Sequence, residues 1–150
     1  MVMGIQVRAA TENDLDWCLG ELQKFDVHFG SKIPLFGENS RGLLTRFIRD
    51  HIMLVADMDG CGPVGFIGGW AYPHPFNQAI RVLTLGFWWV VPEHRRSRAG
   101  LMLLDSLTEI GVRSYDWVSF AIGADAGISD STMLRRGFKL REKNYLLEVE

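Results

Sequence analysis

Three arginines within four positions, Arg95, Arg96 and Arg98, stand between an apolar stretch, RVLTLGFWWVV, and a leucine-rich one, LMLLDSLTEIG. Pro92 has no N–H for a strand ladder, so the first stretch predicts a strand ending near Val91. In the second, Leu103, Leu104, Leu107, Ile110 and Gly111 recur at the spacing of one helix face. The arginines therefore occupy a loop that opens a helix. Unpaired N–H groups and the positive end of the helix dipole favour an anion there, and Gly100 admits close approach. A phosphate suits that place best. The competing reading is a solvated basic turn, because arginines in loops are common.

Other side chains able to do chemistry are scattered. His74, in the Y-P-H-P-F connection, is of the residue type suited to act as a base near neutrality, though a plain turn histidine between two prolines reads equally well. His28 lies in an aromatic-rich segment and His94 beside the arginines; Tyr72 and Tyr115 can each donate a proton, although most such tyrosines serve packing. Cys18 and Cys61 lack ligand spacing, and four histidines this far apart make no metal site. No Ser–His–Asp or Cys–His set stands out.

The elements that must position these groups follow in order. Ile5 to Ala9 alternate as a half-buried strand; Thr11 and Asp14 form a T-x-x-D helix start, and Leu15, Cys18, Leu19, Leu22 and Phe25 trace a helix face. Residues 26–39 read as a packed loop, and Ser40 opens a short helix carrying Leu43, Leu44, Phe47 and Ile48. Residues 51–57 and 64–72 predict a hairpin, in which Gly65, Gly68 and Gly69 imply a bend or a close approach by a neighbour or ligand. Residues 117–123 form a nearly continuous apolar run, as for a strand buried on both faces, and a crossover helix makes it parallel to the strand ending at Val91. A short helix over 129–136 ends at Gly137, and residues 138–149 are expected to finish the sheet as one or two strands.

The run V-V-P-E-H-R-R-S-R-A-G-L-M-L-L resembles the coenzyme A motif of the GNAT N-acetyltransferase superfamily, V-x-P-x-x-(Arg or Gln)-x-x-Gly-x-(Gly or Ala) before a leucine-rich helix. Arg95 takes the Arg/Gln place and Gly100 the last Gly/Ala place, while Arg98 replaces the usual Gly. The Arg-Ala-Gly form is similar to that of phage-encoded members. The Gly137-Phe138 pair resembles the Gly-Phe that closes the family's last helix, and the order of elements matches almost throughout.

This resemblance implies an α/β (α+β) fold with a mixed, mostly antiparallel sheet, a splayed central parallel strand pair and about four helices. It also implies acetyl transfer from acetyl-CoA, with coenzyme A as the product, to a primary amine. Trp89, Val90 and Val91 would hold the acetyl-pantetheine arm next to a strand bulge. Arg95, Arg96, Ser97, Arg98, Ala99, Gly100 and Leu101 would hold the diphosphate. The apolar WWVV run is compatible with this, because alternate side chains can be buried while the backbone edge is used.

The family's usual acid falls at Met133 and its usual base at Thr84 or Gly86, so those side chains are missing. By the same resemblance His74, Tyr72 and His28 become the substitute candidates, His74 as base beside the acceptor and His28 in the loop covering it. A GNAT-fold binding or scaffold protein without turnover is the alternative from another class.

With 150 residues, 47% of them apolar and 11% aromatic, the chain fits one globular domain over 1–150. A net charge of −2 argues against nucleic acid as the partner and leaves an amine acceptor, small molecule or protein. Exposed aromatics around Phe29, Phe36 and Phe76 read as an acceptor pocket or a homodimer contact. No run has membrane-span length, and two reduced cysteines suit a cytoplasmic protein.

Overall fold

The computed structural model describes residues 4–30, 32–123 and 126–149, except for the side chain of His28. The chain divides into two units, Met1–Phe120 and Ala121–Glu150. The first unit carries a five-stranded sheet of β1 (Ile5–Ala9), β2 (Ile52–Met58), β3 (Gly62–His74), β4 (Asn77–Val90) and β5 (Trp117–Ser119), in that spatial order. β1 to β4 form an antiparallel meander, and β5 joins β4 in parallel after the crossover helix α3 (Ala99–Ser114).

Alternation along the strands divides the core into two layers. Met53, Val55, Phe66, Phe87 and Trp89 face α1 (Leu15–Phe29) and α2 (Ser40–Asp50). Leu54, Ala56, Ile67 and Leu83 face α3 through Leu103 and Leu107.

The T-x-x-D start of α1 works through Asp14. Its carboxylate accepts the Thr11 N–H at 2.8 Å, and its own N–H donates to the Thr11 carbonyl at 2.9 Å. Arg8 of β1 donates to both Asp14 oxygens at 2.9 Å and to Asp57 of β2, so one guanidinium ties the helix start to two strands. At its other end α1 runs four residues past the expected start of the loop. Phe25 and Phe29, one turn apart, stack at 6.0 Å and extend it, and Gly30 stops it in the left-handed conformation, φ 72°. Asp26 then accepts the N–H groups of Leu35 and Phe36 at 2.8 and 2.7 Å and pins the loop to the helix.

Close packing explains the β3 glycines, with protein as the neighbour. The Phe87 ring lies flat on Gly68, where any Cβ would overlap it, and a Cβ on Gly69 would stand 2.9 Å from Leu83 Cδ1 and 3.0 Å from Leu107 Cδ1.

Two expectations fail. The strand expected over 117–123 is only three residues long, and Trp117 is 52% exposed. β5 bonds to β4 alone within this sheet, and only Val118 packs inward, against Gly111 of α3. Residues 138–149, expected to complete the sheet, form no strand. They follow α4 (Asp130–Leu134) in the second unit, and alternating apolar residues without a ladder partner do not make a strand.

Candidate functional site

The parallel pairing of β4 with β5 covers three positions, Val82 with Trp117, Leu83 with Val118 and Thr84 with Ser119. It is set at one end by Asp116. The Asp116 carboxylate accepts the Arg81 N–H at 2.8 Å, and its N–H donates to the Arg81 carbonyl at 2.9 Å. At the other end the Thr84 hydroxyl donates to the Ser119 carbonyl at 3.1 Å. β5 ends at Ser119, opposite Thr84, and among the described residues no strand pairs with 85–90 of β4 on that side.

Within this open stretch Gly86 is the extra residue of a bulge, since Leu85 pairs with Gly69 and Phe87 with Gly68. The inserted residue resets the alternation, which turns Phe87 and Trp89 toward α1 and α2 and leaves Trp88 and Val90 on the α3 side. The N–H of Val91 donates to Val64 of β3 at 2.9 Å. Backbone groups alternate between the two edges of a strand, so those of Trp88 and Val90 point to the open edge.

Val91 leads through a short 3-10 turn, Pro92–His94, into the arginine loop. The Ser97 hydroxyl donates to the His94 carbonyl at 2.6 Å and accepts the Ala99 N–H at 3.2 Å. Arg98 has φ −81° and ψ 0°, an ordinary right-handed conformation, so the residue replacing glycine needs no left-handed backbone and its side chain is exposed. The first bond of α3 comes from Met102 to the Arg98 carbonyl, at 2.9 Å. The N–H groups of Gly100 and Leu101 have no hydrogen-bond partner among the described residues. Gly100 lies over Trp88, whose indole N–H is buried and likewise without a partner there. The site thus offers an open strand edge that runs into unpartnered helix N–H groups at the end of a loop carrying Arg95, Arg96 and Arg98.

Trp89 anchors the α1 side. Its indole N–H donates to the buried Glu21 carboxylate at 3.3 Å, Lys24 pairs with the other Glu21 oxygen at 3.2 Å, and Phe25 meets the indole edge-on at 5.7 Å. Phe36 of the pinned loop packs on Phe25, also at 5.7 Å. The Arg95 guanidinium lies 4.5 Å above the Trp89 ring, and its Nε donates to the Val90 carbonyl at 3.0 Å. Glu21 was missed from sequence. The available signal was a carboxylate three residues after Cys18 and four before Phe25, on the apolar face of the helix.

Residues 25–120 match the model of the acetyltransferase (GNAT) family. The chain belongs to that family. No curated protein matches the sequence. Several solved structures share the fold over nearly the whole chain. A probable acetyltransferase is 21% identical, with a TM-score of 0.74, and covers 97% of this chain and 98% of its own. Ribosomal-protein-alanine N-acetyltransferase from Brucella melitensis biovar Abortus 2308 is 15% identical, with a TM-score of 0.71 and coverage of 97% and 99%. Aminoglycoside N-acetyltransferase AAC(6')-Iy, in complex with CoA, is 15% identical, with a TM-score of 0.74 and coverage of 99% and 97%.

Within the GNAT frame, Trp89, Val90, Val91 and Arg95 to Leu101 come together as one continuous strip at the end of β4 and the start of α3. The side-chain candidates for catalysis do not join them. His74 is at the β3–β4 hairpin, paired with Asn77, and accepts the Phe76 N–H at 3.2 Å on Nδ1. Nine residues of β4 lie between Asn77 and Phe87, roughly 30 Å at strand rise, so His74 does not sit beside the open stretch as expected of a base. It lies at the hairpin turn and packs on Trp117 at 5.1 Å. Tyr72 pairs with Val82, five residues before Phe87 and on the side of Thr84 where β5 is still bonded. His28 lies in the last turn of α1, and its side chain is outside the described set. His94 lies in the 3-10 turn beside the arginines. At Gly86, a Cβ would come within 2.8 Å of Phe47 and 3.0 Å of the Trp70 nitrogen, so core aromatics fill the space a catalytic side chain would need. Met133 lies in α4, in the second unit.

No group of three metal-ligating side chains occurs among the described residues, and none of the described helices is long and apolar enough to cross a membrane.

Proposed function

We propose that the chain is an acyl-CoA-dependent N-acyltransferase that moves an acetyl group from acetyl-CoA to a primary amine of a small molecule or protein. One observation carries this reading: the open edge at Trp88 and Val90 leads directly to the unpartnered N–H groups of Gly100 and Leu101. Coenzyme A has the matching order of groups, a thiol arm with two amides and then a diphosphate. The backbone of Trp88 and Val90, facing the open edge, would bond the amides as a strand does, while Trp89 and Val91 hold that stretch to β3. The loop from Arg95 to Leu101 would take the diphosphate by charge and by helix N–H groups. The buried, unpartnered Trp88 indole N–H beside Gly100 also fits a ligand that brings acceptors.

In the reaction the amine nitrogen forms a bond to the thioester carbon, the carbon–sulfur bond breaks, and the thiolate gains a proton while the amine loses one to water. A backbone N–H on the open edge supplies the oxyanion stabilisation. Relatives of the same fold are described as acting on aminoglycosides and on a ribosomal-protein alanine, so those two amine classes are the first acceptors to screen.

A second reading, a GNAT-fold binding protein without turnover, is favoured by Gly86, whose side-chain space is filled, and by Thr84, whose hydroxyl is committed to Ser119. Calorimetric titration with acetyl-CoA, followed by thiol release with each amine, separates the two. Micromolar binding weakened about tenfold in an Arg96→Ala, Arg98→Ala variant, together with thiol release on amine addition, is expected for the enzyme. Binding without release for any amine, or no binding at millimolar ligand, would end the enzyme reading and select the second.

A further inference from the structure

We infer that Arg95 is a specificity latch: its side chain occupies the backbone acceptor that a pantetheine arm needs and yields that place only to a ligand carrying a diphosphate. This deepens the coenzyme reading above and rests on it.

Val90 is the residue of the open edge nearest the loop, and the Arg95 Nε donates to its carbonyl at 3.0 Å. The guanidinium is seated as well as bonded, because it lies 4.5 Å over the Trp89 ring. That ring is itself fixed by Glu21 at one edge and Phe25 at another. An amide of the arm would donate to the same carbonyl from the same side. Both cannot hold that approach, so the arm has to displace the guanidinium.

What the ligand offers in return decides the outcome. A neutral carbonyl and one face of a single ring are modest partners for the exposed Arg95 guanidinium, whereas a diphosphate supplies a charged, bidentate one. With full coenzyme the arginine exchanges a weaker partner for a stronger. A pantetheine thioester without phosphates gives it nothing, and the latch stays closed against it. Arg95 thereby distinguishes coenzyme thioesters from other amide-bearing thioesters, a task that the backbone strip cannot perform alone.

The test is calorimetric titration of the full chain with coenzyme A and, separately, with pantetheine, using the natural protein and the Arg95→Met, Arg95→Lys and Arg96→Met variants. Arg95 is exposed, so its replacement leaves the core intact. Arg95→Met is expected to raise pantetheine affinity about fivefold while lowering that for coenzyme A. Arg95→Lys keeps a positive charge and loses the planar stack, so it should raise pantetheine affinity and hold coenzyme affinity within about threefold of the natural protein. Arg96→Met should weaken coenzyme A without changing pantetheine. If coenzyme A binds but pantetheine affinity is the same in all four proteins, or is undetectable in all four, Arg95 is only a phosphate ligand and the latch is wrong. If coenzyme A binds none of them, the coenzyme reading itself fails.

Discussion

Cys18 and Cys61 are both free, yet they differ chemically. Cys18 is buried in the α1 layer, and burial, with Asp14 nearby adding negative charge, pushes its thiol up to about 12. It stays protonated through the ordinary range and does not act as a nucleophile. Cys61 is exposed in the β2–β3 turn. A thiol reagent at pH 8 should therefore titrate one cysteine in the folded chain and the second only on unfolding; equal rates for both would contradict the packing around Cys18. Gly86 is equally constrained. Gly86→Asp would return a carboxylate to the central strand, but the Cβ meets Phe47 at 2.8 Å, and thermal denaturation should show a loss of about 2–3 kcal/mol. By resemblance the sequence put the family's usual acid at Met133 and its usual base at Thr84 or Gly86, where neither side chain is present. It concealed why Gly86 is glycine, because Phe47 lies 39 positions earlier and reaches it only through the fold.

Among the elements, the strand, loop and helix around the arginines were legible because Pro92 and the leucine spacing are local signals. The length of β5 was not. An apolar run reads the same with one bonded neighbour or two, and only the three-residue pairing with β4 fixes it. The end of α1 was misplaced for a related reason: Gly30 serves a loop as readily as a helix cap, and the stacking of Phe25 on Phe29 decides.

The start of α1 carries a pH dependence. Arg8, donating to Asp14, holds that carboxyl below its ordinary 3.8, with the Thr11 N–H adding to the effect. A carboxyl lowered on folding stabilises above its unfolded value and loses that contribution as pH falls through the folded one. Acid titration followed by circular dichroism should show stability declining below about pH 4, and Asp14→Asn should lower stability at pH 7 by about 1–3 kcal/mol while flattening the acid limb. An unchanged acid limb in that variant would assign the sensitivity elsewhere.

At the scale of the molecule, the buried apolar side chains among the described residues fall between Ala10 and Leu107, within the first unit. A chain ending at Phe120 should accordingly retain a single cooperative thermal transition; a broad, non-cooperative melt would show that residues 121–150 are needed for the core. The contact between β3 and β4 sets a different limit. Gly68 lies under the Phe87 ring and Gly69 against Leu83 and Leu107, so the space absent from one residue is filled by another. Such positions cannot drift one at a time. Gly68→Ala alone should cost about 2–3 kcal/mol, and Gly68→Ala with Phe87→Leu should recover a good part of it, a non-additive pair measurable by a double-mutant cycle. The bulge at Gly86 is what brings Phe87 onto that glycine. Lineages of this protein are thus expected to exchange residues 68, 86 and 87 as a set, and an ancestor that changed one of them first would have passed through a less stable intermediate.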